Sequence, residues 1–190
     1  MAHEATDQEL DEDGLVVQKY FSRVLVVLPP RGFGDQILRY ARSCLYNVHV
    51  GTVSAAADPE QEVQGRLQDA FLVDEALADQ TMEPYSGVLL AGSDGPSPLA
   101  DDAHLLELVR AADHDRKLVA AWGTALAVLV RAGVVRGRNV TGDGALRDEV
   151  ARAGGRYTGR EIAVSGHLVT ARDEGAGMRF GQALAEFVRI

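Results

Sequence analysis

Cysteine is almost missing from this chain: Cys44 stands alone among 190 residues. A lone cysteine excludes an intrachain disulfide and any zinc site built on thiolates. Positive charge is also scarce, with 19 Lys and Arg against 28 Asp and Glu and a formal net charge of -9. Binding to nucleic acid draws on a basic face to neutralise phosphates, so this balance argues against it. No stretch supplies the roughly 20 consecutive apolar residues that a membrane-spanning helix requires. The five histidines fall without metal-ligand spacing. The opening segment (MAHEATDQELDEDG) is acidic, the reverse of a secretory signal. These absences leave a cytoplasmic protein with no metal, no cofactor, no nucleic-acid partner and no membrane contact as the expectation.

What is present is apolar and regularly spaced. Hydrophobic residues make up 46% of the chain, enough for a packed core. Residues 1–15 read as a disordered acidic tail and 16–190 as a single domain. Residues 23–28 (RVLVVL) and 87–91 (GVLLA) are continuous apolar runs, as in parallel strands covered on both faces. Helical spacing predicts a helix over 33–45, with Cys44 facing inward as an ordinary core thiol. A second strand is predicted over 48–53 and a short one within 68–74, paired near Val63. An acid-capped helix follows over 101–112, and further helices over 146–153 and 177–188. Residues 162–164 and 168–170, joined by Ser165-Gly166-His167, read as a hairpin. Strands alternate with helices, so the expected fold is α/β: a doubly wound, mainly parallel sheet with helices on both faces.

One stretch carries the functional question. Leu118-Val-Ala-Ala-Trp122 reads as a buried strand, Gly123 as a tight turn, and the residues up to Ala132 as an apolar helix closed by Gly133. Many α/β enzymes mount a nucleophile on such a strand-turn-helix elbow. Glycine holds the strained turn conformation at little steric cost but brings no reactive side chain. Thr124, one position on, needs an adjacent base to become nucleophilic; its plainer reading is a cap on the following helix. Gly92-Ser93-Asp94-Gly95 reads either as a plain strand-to-helix turn or as a loop that offers amide donors to a ligand. His104 and His114 read as solvated.

Several segments together resemble the ThiJ/PfpI family of the class I glutamine-amidotransferase-like superfamily. They are Gly87-Val-Leu-Leu-Ala-Gly92, Arg131-Ala-Gly-Val-Val-Arg-Gly-Arg-Asn-Val-Thr141, Asp148-Glu149 with Ala153-Gly154, and Val164-Ser-Gly-His-Leu-Val-Thr-Ala-Arg172. The resemblance implies a flavodoxin-like fold and a homodimer. It also implies that the family's cysteine nucleophile falls on Gly123, the residue after it on Thr124, and the glutamate that supports the cysteine on Gly34. On this reading the chain has no catalytic residue. Gly34, Gly123 and Thr124 are then degenerate active-site positions, and Gly92, Ser93, Asp94 and Trp122 are candidates to line a small-molecule pocket. The expected function is a non-enzymatic binding, regulatory or structural homo-oligomer. The alternative is a hydrolase, deglycase or glyoxalase-like enzyme with rebuilt, non-cysteine chemistry.

Overall fold

The computed structural model describes residues 22–67 and 70–189. The acidic tail and the apolar extension at 16–21 lie outside the described residues. In chain order the elements are β1 (Ser22–Val27), β2 (Arg31–Phe33), α1 (Asp35–Tyr46), β3 (Val50–Ala56), β4 (Val63–Gly65), β5 (Ala70–Phe71) and β6 (Glu75–Ala76). These are followed by β7 (Gly87–Leu90), α2 (Ala103–His114), β8 (Leu118–Trp122), α3 (Leu126–Ala132), β9 (Asn139–Val140), α4 (Arg147–Arg152), β10 (Arg156–Tyr157), β11 (Ile162–Ser165), β12 (Leu168–Ala171) and α5 (Gly177–Val188).

Seven strands form the central sheet in the order β11-β12-β8-β7-β1-β3-β6. Every neighbouring pair is parallel except β11 with β12, the hairpin read from the sequence. Side-chain alternation along each strand separates two apolar layers. Leu25, Val27, Val88, Leu90, Val119 and Ala121 face the side covered by α2 and α3. Val24, Val26, Leu89, Leu118, Ala120 and Trp122 face α1 and α5. Both faces are buried, which is why these strands are continuous apolar runs in the sequence.

From β1 the chain winds outward through β3 and β6, then returns to place β7 on the other side of β1. That reversal makes a switch point at the carboxyl ends of the strands, the usual position of a ligand crevice in such sheets. The loops after β1, β7, β8 and β12 all emerge there.

Some element boundaries differ from the sequence reading. Phe33 does not begin the first helix. It ends β2, is 1% exposed, and packs edge-on against Phe71 with ring centroids 6.1 Å apart. Gly34 holds an extended conformation (φ -71°, ψ 108°), so the helix starts at Asp35. The second strand runs over Val50–Ala56 rather than 48–53, because Val48 and His49 complete the turn leaving α1. The helix expected over 101–112 starts at Ala103, since Asp102 is its cap: the Leu105 amide donates to the Asp102 carboxylate at 2.8 Å. α4 spans Arg147–Arg152 and is entered through a short 3-10 turn. The expected pairing near Val63 is present, with Val63 opposite Phe71.

His104 does not point only to solvent: its Nε2 lies 2.9 Å from the Gln80 carbonyl oxygen. His167, in the hairpin turn, donates from Nε2 to Asp113 at 2.7 Å, and Arg138 donates to the same carboxylate oxygen. Burial pushes the Asp113 carboxyl up, but the bonds from Arg138 and His167 outweigh it and hold the group below its ordinary value. A carboxylate depressed in this way stabilises the fold fully above the unfolded value of about 3.9. The contribution is lost as pH falls through the lower folded value. Asp113→Asn should therefore cost about 1–3 kcal/mol at neutral pH, and the gap to wild type should narrow below about pH 4. Thermal unfolding of both proteins across that range checks this.

Candidate functional site

β8 ends at Trp122 in extended conformation, and the chain turns at Gly123 with φ +57°. A 3-10 turn over Gly123–Ala125 then leads into α3. L-residues adopt such a positive φ only with strain, so glycine suits this turn. A Cβ placed on Gly123 would meet nothing nearer than Gly92 Cα at 3.9 Å and the Arg172 carbonyl oxygen at 4.0 Å. Above the elbow the space is open.

The space is a cavity of about 80 Å³. It is bordered by Gly34, Gly92, Ser93, Trp122, Gly123 and Thr124, with Arg66, Asp143 and the loop Arg172-Asp173-Glu174 closing the rest. The structure thus brings Gly34, Gly92, Ser93, Trp122, Gly123 and Thr124 to one place. Asp94 stays outside: its side chain is 67% exposed and pairs with Arg66 at 2.7 Å. The loop turns there because the Asp94 amide is tied to the Gly32 carbonyl.

Thr124 neither caps α3 nor stands free to react. Its hydroxyl accepts from the Ser93 amide at 3.0 Å and donates to the Ser93 carbonyl at 3.1 Å. This pair of bonds clamps the β7 loop to the elbow. It also uses the hydroxyl proton that a nucleophile would have to give up. Cys44 lies elsewhere, at the seam of α1 and α5, where a Cβ on Gly181 would come 2.9 Å from its sulfur. Cys44 is half-buried rather than a full core thiol, and burial pushes it above its ordinary value.

Glu174 is the residue the sequence reading missed. A side chain on Gly34 would run into it: a Cβ there would overlap the Glu174 carboxyl, with Glu174 Cγ only 2.7 Å away. A carboxyl from the loop after β12 therefore occupies the space beside Gly34. Burial pushes its pKa above the usual carboxylate range. Arg66, 3.7 Å away, opposes this, while Asp35, Asp94 and Asp173 add to the rise. The available signal was topological: Glu174 follows the carboxyl end of a parallel strand, where the sheet collects functional side chains.

Trp122 packs into the layer beneath α5, its ring edge-on to Phe180 with centroids 6.1 Å apart. Its Nε1 is buried without a hydrogen-bond partner, as are Ser93 Oγ and Glu174 Oε1. Among the described residues only one other buried side-chain atom, Asp35 Oδ1, is in that state. Such groups cost free energy unless paired, and three of the four belong to residues bordering one cavity. A larger hollow of about 430 Å³ opens at the amino ends of β1 and β3, lined by Arg23, Arg42 and Tyr46 among others. It lies at the opposite end of the strands from the switch point, so the smaller cavity, over the elbow, is the better candidate. Among the described residues no cluster of His, Cys, Asp and Glu could hold a metal ion. No described helix is long and apolar enough to cross a membrane.

Comparison with known proteins places this geometry in context. The DJ-1/PfpI family profile matches residues 22–187. The chain is 27% identical over 141 residues to Deglycase TK1284 of Thermococcus kodakarensis, spanning 73% of this chain and 81% of that one. The crystal structure of a ThiJ/PfpI domain protein from Brachyspira murdochii aligns with a TM-score of 0.81 at 20% identity, over 87% of this chain and 95% of that one. Drosophila melanogaster DJ-1beta aligns with a TM-score of 0.76 at 21% identity, over 87% of this chain and 89% of that one. At these identities the two structures show a shared fold.

Proposed function

The chain belongs to the DJ-1/PfpI family, and from that premise we propose that it is a catalytically degenerate member that binds a small molecule in the cavity above Gly123. One observation carries the reading: the elbow has no side chain, and the hydroxyl of the next residue, Thr124, is held by two bonds to the Ser93 backbone. Without a nucleophile the remaining walls can still hold a ligand, because polar residues and two backbone-rich loops surround a shaped space. The domain extends over 16–190 behind an acidic tail and works in the cytoplasm as a homodimer. Half-exposed Tyr40 on α1 and Met178 on α5 support a self-association surface.

A second reading is an enzyme with non-cysteine chemistry, acting as a hydrolase, deglycase or glyoxalase-like protein. It draws on Glu174, a carboxyl whose raised pKa suits it to hold and donate a proton. The two readings separate in a turnover assay on glycated amines, small reactive carbonyls and peptides. Wild type and Cys44→Ala should both match the buffer blank. Turnover that disappears in Glu174→Gln would favour the enzyme.

A further inference from the structure

We infer that residues 4–13 of this chain dock on its own basic face, at the amino ends of the strands. The molecule is polarised along its sheet. The cavity end carries acids, with Asp143, Asp173 and Glu174 at the cavity and Asp94 just outside it. The other end carries cations. Arg23 is the second residue of β1, and Arg116 and Lys117 lead into β8. α3 starts at the elbow and runs back to this end, which brings Arg136 there. Its neighbour Arg138 reaches Asp113, just ahead of β8. α4 makes the same return, so Arg152 and Arg156 flank the turn at Gly154. Arg136 lies against that turn, its Cγ 3.4 Å from where a Cβ on Gly154 would stand, and Arg156 donates to the Gly137 carbonyl at 2.9 Å.

The domain does not neutralise this face. Among the described residues, Arg23, Arg116, Lys117, Arg136, Arg152 and Arg156 form no ion pair. Lys117, Arg152 and Arg156 donate to backbone carbonyls, which leave their charge uncompensated. The five arginines are exposed. Of the acids in the same loops, Asp113 is held by Arg138 and His167, and Asp115 lies 3.0 Å from His114; Glu83 remains. In a chain of net charge -9, such a face is a local reversal of sign.

The residues ahead of β1 supply the complement. Glu4, Asp7, Glu9, Asp11, Glu12 and Asp13 bring six carboxylates, and the first lysine or arginine is Lys19. β1 begins within this face, with β7 and then β8 beside it. At about 4.8 Å per strand, the start of β8 is about 10 Å from Ser22. Asp13 is nine residues ahead of Ser22, and a stretch of that length spans about 30 Å when extended. An exposed ion pair is weak alone. The covalent tether holds the carboxylates beside the face at high effective concentration, so several weak pairs act together. That tether favours the chain's own segment over a second copy or a free polyanion.

A nitroxide on Gln8→Cys, in the Cys44→Ala background of the full chain, reads the position without altering the segment's charge. At low salt it should broaden the NMR amide signals of Arg116, Gly137 and Gly154 and leave those of Gly95 and Gly142, at the cavity end, sharp. Salt at about 1 M, where the Debye length is about 3 Å, should restore the lost signals. Arg136→Gln, Arg152→Gln and Arg156→Gln together should restore them at low salt, and exposed positions of this kind tolerate substitution. No broadening at the basic face, equal broadening at both ends, or broadening that survives both the salt and the triple substitution overturns the inference. So does broadening that arises only between spin-labelled and isotope-enriched chains mixed together, which would give the face to a second copy.

Discussion

Gly92→Ala should lower the unfolding free energy by about 2–4 kcal/mol, while Gly123→Ala should cost only about 1–2. Both glycines border the same cavity, but they are glycine for different reasons. At Gly92 a Cβ would overlap the Trp122 carbonyl oxygen, with the Thr124 nitrogen at 3.0 Å and the Trp122 carbonyl carbon at 3.2 Å. All three are backbone atoms, so no rotamer change relieves them, and the β7 loop must move off the elbow. That movement also breaks the two bonds between Thr124 and Ser93. At Gly123 the space is open and only the positive φ carries a cost. Chemical denaturation of the two variants against wild type checks both numbers. A Gly92→Ala protein as stable as wild type would mean that the loop and the elbow are not in the described contact.

Gly123→Cys should turn a thiol-inert surface into a reactive one. In wild type, iodoacetamide meets only Cys44, a partly buried thiol whose acidity burial weakens. Labelling should therefore be slow. A cysteine at Gly123 enters the open space over the elbow, where partly exposed Arg66 and Arg172 border the cavity. Its alkylation should be about tenfold faster or more than that of Cys44, because the open space leaves it accessible and solvated where Cys44 is partly buried. Mass spectrometry of the labelled peptides separates the two sites. Restoring a carboxyl at the same time through Gly34→Glu should fail to add to this, since Glu174 already fills the space that side chain would enter. The double variant should unfold more easily than Gly123→Cys alone.

The sheet was legible because its signals are local. β1, β7 and β8 are buried on both faces, so RVLVVL, GVLL and LVAAW announce themselves as apolar runs, and α5 follows its helical spacing from Gly177 to Val188. The elbow at Gly123 was legible for the same reason, as a glycine between a buried strand and an apolar helix. Phe33 was harder. An aromatic before a helical pattern looks like its first turn, and only pairing with β4, about 30 residues on, makes it a strand. Thr124 looked like a cap because helix starts favour threonine, whereas its partner, Ser93, comes from another loop. Glu174 could not be weighed at all without the fold. Its importance comes from lying against Gly34, a contact between residues 140 positions apart that no spacing rule reveals.

The central claim is that Gly123 leaves a ligand-accepting cavity over the elbow, bordered by Gly34, Ser93, Thr124 and Glu174. A high-resolution crystal structure of the wild-type protein tests it most directly. The account predicts ordered density in the cavity over Gly123, either waters or a small molecule. A cavity closed by protein atoms over Gly123 would contradict it.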